Sequence, residues 1–175
     1  MAENYIEMEL REIHLDQGPT SAQIIVLGEK EGQRTFPIYI GLFEALALEG
    51  AARGERAERP LTHDLILNVI DGLDAQLGRV LIVKLEGSTF YGALELHTGS
   101  GQPVRIDARP SDAIVLATKR RIPIFVEEKV LEEVGQLIEE EEEEDFSFDS
   151  EDDDSDISFN EDEGPEDPDF PDEER

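Results

Sequence analysis

Cysteine and tryptophan are absent from this 175-residue chain, and cationic residues are scarce, with 15 Lys and Arg against 44 Asp and Glu and a formal net charge of −29. The absence of cysteine excludes disulfides, thiolate metal centres and cysteine nucleophiles together. Any metal must then be held by oxygen or by the three histidines. Long apolar runs are missing too. Nothing approaches the roughly 18 to 20 residues that a bilayer-crossing helix needs. The first residues, MAENYIEMELRE, offer neither a basic start nor an apolar signal segment. The chain reads as a cytoplasmic protein with no membrane partner. It also lacks a GxxxxGK(S/T) loop, a GxGxxG turn after a strand and an HExxH pair. Nucleotide-dependent phosphotransfer, dinucleotide redox chemistry and zincin proteolysis therefore lose their usual signatures.

The acid is unevenly spread. Residues 1–135 hold 22 acidic and 14 basic side chains, a net of −8, whereas residues 136–175 hold 22 acidic side chains and only Arg175, a net of −21. Six consecutive glutamates occupy 139–144, and the Asp/Ser/Pro-rich remainder has too little apolar surface to offset the entropy of ordering it. The expected organisation is one globular domain over 1–135 followed by a disordered acidic tail over 136–175. Solvation is the plainest role for that tail. Its Phe146, Phe148, Phe159 and Phe170, set among acids, would also suit a basic protein partner, and its charge could mimic nucleic acid.

Within the first 135 residues the hydrophobic period alternates between 2 and 3.6. YIEMELREIHL reads as a strand ending in a turn at Asp16–Pro19, and AQIIVLGE and RTFPIYI read as a hairpin about Glu31-Gly32. Helices follow over 42–52 and 62–73. RVLIVKLE, TFYGALEL and PVRIDA are the next strands, PSDAIVLATKRR a helix, PIFV a short strand and EKVLEEVG a last helix ending at Gly135. The fold class is α+β, a mixed or antiparallel sheet with helices, built from a duplicated unit of three strands and two helices. Aligning the halves sets Glu44-Ala45-Leu46 against Asp112-Ala113-Ile114, and a shared groove would make Glu44 and Asp112 an acidic pair.

Two Arg-Pro pairs, Arg59-Pro60 and Arg109-Pro110, each introduce an apolar helix. Proline at a helix start pre-sets the backbone, and the free amides of a first turn favour an anion. An arginine beside them adds a planar fork suited to phosphate. Simple capping is the competing account, with Thr62 as an N-cap and Asp64 and Asp112 complementing the helix dipoles. The wording exceeds what capping needs. FPIYIGLFEALALEGAARG, RPLTHDLILNVI, GSTFYGALEL and DARPSDAIVLATKRRIPIFV, in this order and spacing, closely resemble the bifunctional nuclease domain family from about Tyr5 to Gly135.

That resemblance implies a homodimer that hydrolyses DNA and RNA phosphodiester bonds with low sequence selectivity. Residue chemistry supplies the candidate roles. Arg59, Arg109 and Ser111 are the substrate-binding candidates, the arginines as phosphate clamps and Ser111 as a first-turn hydroxyl that suits a helix-start hydrogen bond better than a nucleophile's part. Glu44, Asp64 and Asp112 are the oxygen ligands available for magnesium or manganese or for the attacking water, and Asp107 is a further nearby carboxylate. His63, beside Asp64 and the first Arg-Pro turn, is the histidine whose setting suits proton transfer. His14 and His97 read as structural or solvent-facing, and Tyr39, Phe90 and Tyr91 as core. Lys119, Arg120 and Arg121 form a tight basic cluster that either complements a helix C-terminus or touches a nucleic-acid backbone. With so much acid, nucleic-acid binding should be weak, metal-dependent and salt-sensitive. The rival class is a non-catalytic regulatory module that binds an anion or a protein carboxylate.

Overall fold

The computed structural model describes residues 4–15, 22–99 and 101–134. The expected Asp16–Pro19 turn, Gly135 and the tail from 136 lie outside these residues.

Two antiparallel meanders form the sheet. The first joins β1 (Tyr5–His14), β2 (Gln23–Glu29) and β3 (Thr35–Ile40), and the second joins β4 (Gln76–Glu86), β5 (Thr89–His97) and β6 (Pro103–Ala108). The β2–β3 turn is closed by the Glu29 amide donating to the Arg34 carbonyl at 3.0 Å, with the Glu29 carboxylate gripping the Arg34 guanidinium. Gly87 supplies the positive φ of 60° that a two-residue loop between β4 and β5 requires at its first position.

A seventh strand, β7 (Ile124–Glu127), sits between the meanders, giving the order β3-β2-β1-β7-β4-β5-β6. It runs antiparallel to β1 and parallel to β4. The mixed α+β sheet is as expected. The expected duplication is not established: each meander is followed by a helix, but β7 then separates the last two helices of the second half. The helices are α1 (Leu42–Ala52), α2 (Thr62–Gly72), α3 (Pro110–Arg120) and a final one, α4, over 128–134.

One sheet face carries the core. Alternate residues Met8, Ile25, Leu27, Phe36, Ile38, Val80, Ile82, Leu94, Ile124 and Val126 meet Leu48, Leu67, the middle of α3 and Val130, Leu131 and Val134. All four helices therefore contribute to the same side. α3 is buried on nearly every face, from Ala113 through Ala117, because it crosses β4 and β5 while α1 and α2 cover it from outside. Its start lies against β5 at Gly92, where an added Cβ would come within 2.9 Å of the Ala108 carbonyl and 3.2 Å of the Pro110 backbone.

Two local expectations are corrected. Thr62 is the first helical residue of α2, not its cap. Leu61 holds the cap with extended φ −79° and ψ 177°, and Asp64 reaches back so that its carboxylate accepts the Leu61 N–H at 3.0 Å. A carboxylate in the first turn thus satisfies an end donor without a capping hydroxyl. Tyr39 is 69% exposed because it points to the sheet face that carries no helix. Phe90 does pack inward, stacked on Phe36 at 5.6 Å, and Tyr91 is half-buried under Lys84. His14 and His97 are both exposed.

Candidate active site

The start of α3 is the organising point. Arg109 is extended at the N-cap and Pro110 opens the helix, so the chain turns sharply and Asp112 falls in the first turn. The Arg109 side chain folds back onto Asp112, with Nε donating to Oδ2 at 3.0 Å and Nη2 to Oδ1 at 3.3 Å. Nη2 also donates to Glu44 Oε1 at 2.6 Å, across 65 residues of sequence. Glu44 is in the first turn of α1, so the packing of α1 on α3 brings two helix starts together. The expected pairing of Glu44 with Asp112 is realised, with a guanidinium between them.

His63 completes the cluster from α2. The residue is 9% exposed, and its Nε2 lies 3.2 Å from Asp112 Oδ1. These side chains line one cleft of about 770 Å³ together with Asp64 and Lys119. Asp64 Oδ1 accepts from Lys119 Nζ at 2.8 Å, a contact between α2 and the end of α3.

The charges are mutually tuned. The Arg109 guanidinium holds the Glu44 carboxyl below its ordinary value of 4.5, and Asp112 followed by Glu44 holds Arg109 more firmly protonated. Lys119 lowers the Asp64 carboxyl below 3.8, with the Leu61 amide helping and partial burial opposing. Arg109 spends Nε and Nη2 on its carboxylates. No hydrogen bond among the described residues engages Nη1, and the side chain is 65% exposed. A fixed guanidinium with one free edge in a cleft is a receptor for an anionic oxygen.

Not every candidate converges. Ser111, expected at the substrate, is buried at the α3 start and does not line the cleft. Arg59 is exposed, lies outside the cleft lining and makes no ion pair among the described residues. Asp107 is exposed on edge strand β6, away from the cluster. The expected metal ligands do not fit a divalent ion as they stand. Glu44 and Asp112 both face a guanidinium, Asp64 faces an ammonium, and no group of three or more His, Asp or Glu among the described residues is placed to hold a metal.

Two contributors have roles that the sequence alone does not assign. Lys119 reads as part of a helix-end cluster, and only the packing of α2 on α3 reveals Asp64 as its partner. Gly92 reads as one letter of a strand. A glycine inside a strand is itself a signal of close backbone approach, and here the approaching backbone is that of the Arg109-Pro110 turn.

No helix among the described residues is long and apolar enough to cross a membrane. The chain is 38% identical over 139 residues, 79% of its length and 82% of the relative's, to an uncharacterized protein of Mycobacterium tuberculosis strain CDC 1551 / Oshkosh. The same values hold for an uncharacterized protein of M. tuberculosis strain ATCC 25618 / H37Rv. The family model described as "Bifunctional nuclease domain" matches residues 25–139, a span that takes in Glu44, His63, Asp64, Arg109 and Asp112, and the chain therefore belongs to the bifunctional nuclease domain family.

Proposed function

We propose that the protein is a nuclease that hydrolyses phosphodiester bonds of DNA and RNA with low sequence selectivity, acting at the cleft formed by the starts of α1, α2 and α3. The observation that carries this reading is the convergence of Glu44, His63, Arg109 and Asp112 from three helix starts. Arg109, clamped by the two carboxylates, presents Nη1 to a non-bridging phosphate oxygen and steadies the charge that grows there during attack. Asp112 orients the imidazole through Nε2, leaving Nδ1 of His63 to take the proton of the attacking water. The new P–O bond forms as the bond to the leaving oxygen breaks, and that oxygen takes its proton from solvent. None of these contacts reads a base, so low sequence selectivity follows from the site's chemistry.

Magnesium or manganese belongs to this reading as an assistant whose need is to be measured. As placed, Glu44 and Asp112 face Arg109 and Asp64 faces Lys119. A second copy of the chain and a cytoplasmic setting complete the proposal. The apolar residues left exposed on α1 and α2 support the former, and the lack of cysteine suits the latter.

The alternative is a regulatory module that binds a protein without cleaving anything. One observation favours it: Phe43, 82% exposed, and Leu61 stand on the rim of the charged cleft, where a protein partner would bury them. Cleavage of fluorescent single-stranded DNA and RNA, with magnesium, manganese or EDTA in turn, separates the two. Cleavage abolished in Arg109→Ala/Asp112→Ala supports the nuclease. Cleavage that persists in this variant moves the site elsewhere, and no cleavage under any condition leaves the binding module.

A further inference from the structure

Cationic charge among the described residues is almost fully paired, which makes the exceptions informative. Every Lys and Arg of residues 4–134 lies within ion-pair distance of a carboxylate, with three exceptions: Arg56, Arg59 and Arg121 make no such pair among the described residues. In a chain with almost three acids for every base, arginines without a carboxylate are unexpected, and all three sit at the α1–α2 loop or at the end of α3.

Two of them face one groove. A cleft of about 830 Å³ is lined by Arg56 and Arg121. Arg56, Asp64 and Lys119 line both this cleft and the one that holds Arg109, so the two are continuous. Of the other charges on its wall, Lys119 pairs with Asp64 and Arg120 with Asp71, while Glu55 lies 3.8 Å from Arg53, which already pairs with Glu49. Arg56 and Arg121 remain, with Glu55 and Glu58 the carboxylates left on this wall.

The backbone at Arg121 is a separate observation. It closes α3 in the left-handed conformation, at φ 54° and ψ 44°, where glycine is the residue of lowest cost. An arginine here is dearer than capping requires, and the residue lines both this groove and a neighbouring cleft that holds Glu7, Glu9 and Lys30.

We infer that Arg56 and Arg121 form a second phosphate subsite, which holds the backbone of a single-stranded nucleic acid one or more nucleotides away from the bond at Arg109. This rests on the nuclease reading and deepens it, because it gives the substrate a direction along the protein: from the α3 start, past Lys119, to the α3 end. Single strands suit a track of separated arginines without base-reading groups, since the backbone supplies a phosphate at each step.

The test uses the full chain and a fluorescent single-stranded 12-mer, with affinity read by anisotropy in EDTA and cleavage read separately. Arg56→Ala/Arg121→Gly is the informative variant. Both residues are exposed and make no ion pair among the described residues, and glycine relieves the left-handed φ, so folding is preserved. Affinity should fall roughly tenfold or more, and the slope of log affinity against log salt should become shallower by about 1.4, or 0.7 for each phosphate no longer neutralised. Lys84→Ala/Lys129→Ala removes two positive charges that line neither cleft and should change affinity less than about twofold. Equal losses in the two variants would reduce the effect to net charge and overturn the subsite, as would no loss in either. Bis(p-nitrophenyl) phosphate is too short to reach the second cleft, so a variant equally impaired on that ester would place the arginines at the reacting bond and also overturn it. If the parent protein binds the 12-mer without cutting it, the nuclease reading fails while the affinity loss still decides the subsite. If it neither binds nor cuts, both fail.

Discussion

At the scale of single residues, Arg109 takes the place that a metal ion would hold in a site of bare carboxylates, and that substitution is testable. Arg109→Lys keeps the charge but loses the fork, so it cannot hold Glu44 and Asp112 while offering a further edge to phosphate. kcat/KM on single-stranded DNA should drop by about 10²-fold, in line with the loss of a preorganised donor. Arg109→Ala leaves Glu44, Asp112 and His63 around an empty cation position. We expect Mn²⁺ to broaden the His63 ring protons in the NMR spectrum of that variant at concentrations that leave the parent's untouched. Glu44 also sets a pH dependence. Its carboxyl titrates below 4.5 in the folded protein because of Arg109, so the bridge contributes fully above 4.5 and is lost as pH falls through the lowered value. The stability gap between parent and Glu44→Gln, about 0.5 to 1 kcal/mol given how exposed Arg109 is, should stay flat from pH 5 to 8 and close below 4.5 in urea titrations.

Among the elements, α3 shows both what sequence can carry and where it stops. Its start was legible because Arg109-Pro110 and Asp112 are local signals, and Glu44 could be matched to Asp112 by aligning the halves. What the alignment could not show is that Arg109 would lie between them, or that Asp64 would meet Lys119 across 55 residues, since both depend on how α1 and α2 lie over α3. Strand order was equally hidden. β7 is four residues long, and its placement between β1 and β4 follows from crossovers that no local period encodes. Gly92 ties these levels together. Gly92→Ala would push its Cβ against backbone atoms of Ala108 and Pro110, which cannot rotate away as a side chain can. A stability loss of about 1 to 3 kcal/mol is expected by urea denaturation, with a drop in cleavage beyond what the unfolded fraction explains. α2 raises a different question. It buries His63, Leu67 and Ile70, yet leaves Leu65 and Val69 exposed between Leu61 and Leu73, a stripe at four-residue spacing, and Leu42, Phe43 and Leu46 of α1 are exposed as well. If a second copy covers this stripe, Phe43→Glu/Leu65→Glu should convert a dimer to a monomer in light scattering while the far-ultraviolet circular dichroism is unchanged.

For the whole molecule, the difficulty is that the proposed function asks a protein of net charge −29 to hold a polyanion. Local pairing answers part of it, because most of the acid in residues 4–134 is neutralised within a few ångströms, so the field near Arg56, Arg109 and Arg121 is set by those side chains. The −21 carried by residues 136–175 has no comparable supply of cations in its own sequence and acts at a distance limited by screening. Replacing Glu139–Glu144 with glutamine in the full chain removes six negative charges and touches no residue of the cleft. Affinity for the single-stranded 12-mer should rise several-fold at 20 mM salt, where the screening length is about 20 Å, and the gain should vanish by 0.5 M, where it is about 4 Å. A gain that survives high salt would mean that these glutamates compete directly for the arginines, since contact pairs resist screening where long-range repulsion does not. Equal affinities at 20 mM would place the acidic run beyond the reach of the cleft's field, and the charge of residues 136–175 would then have no part in substrate binding.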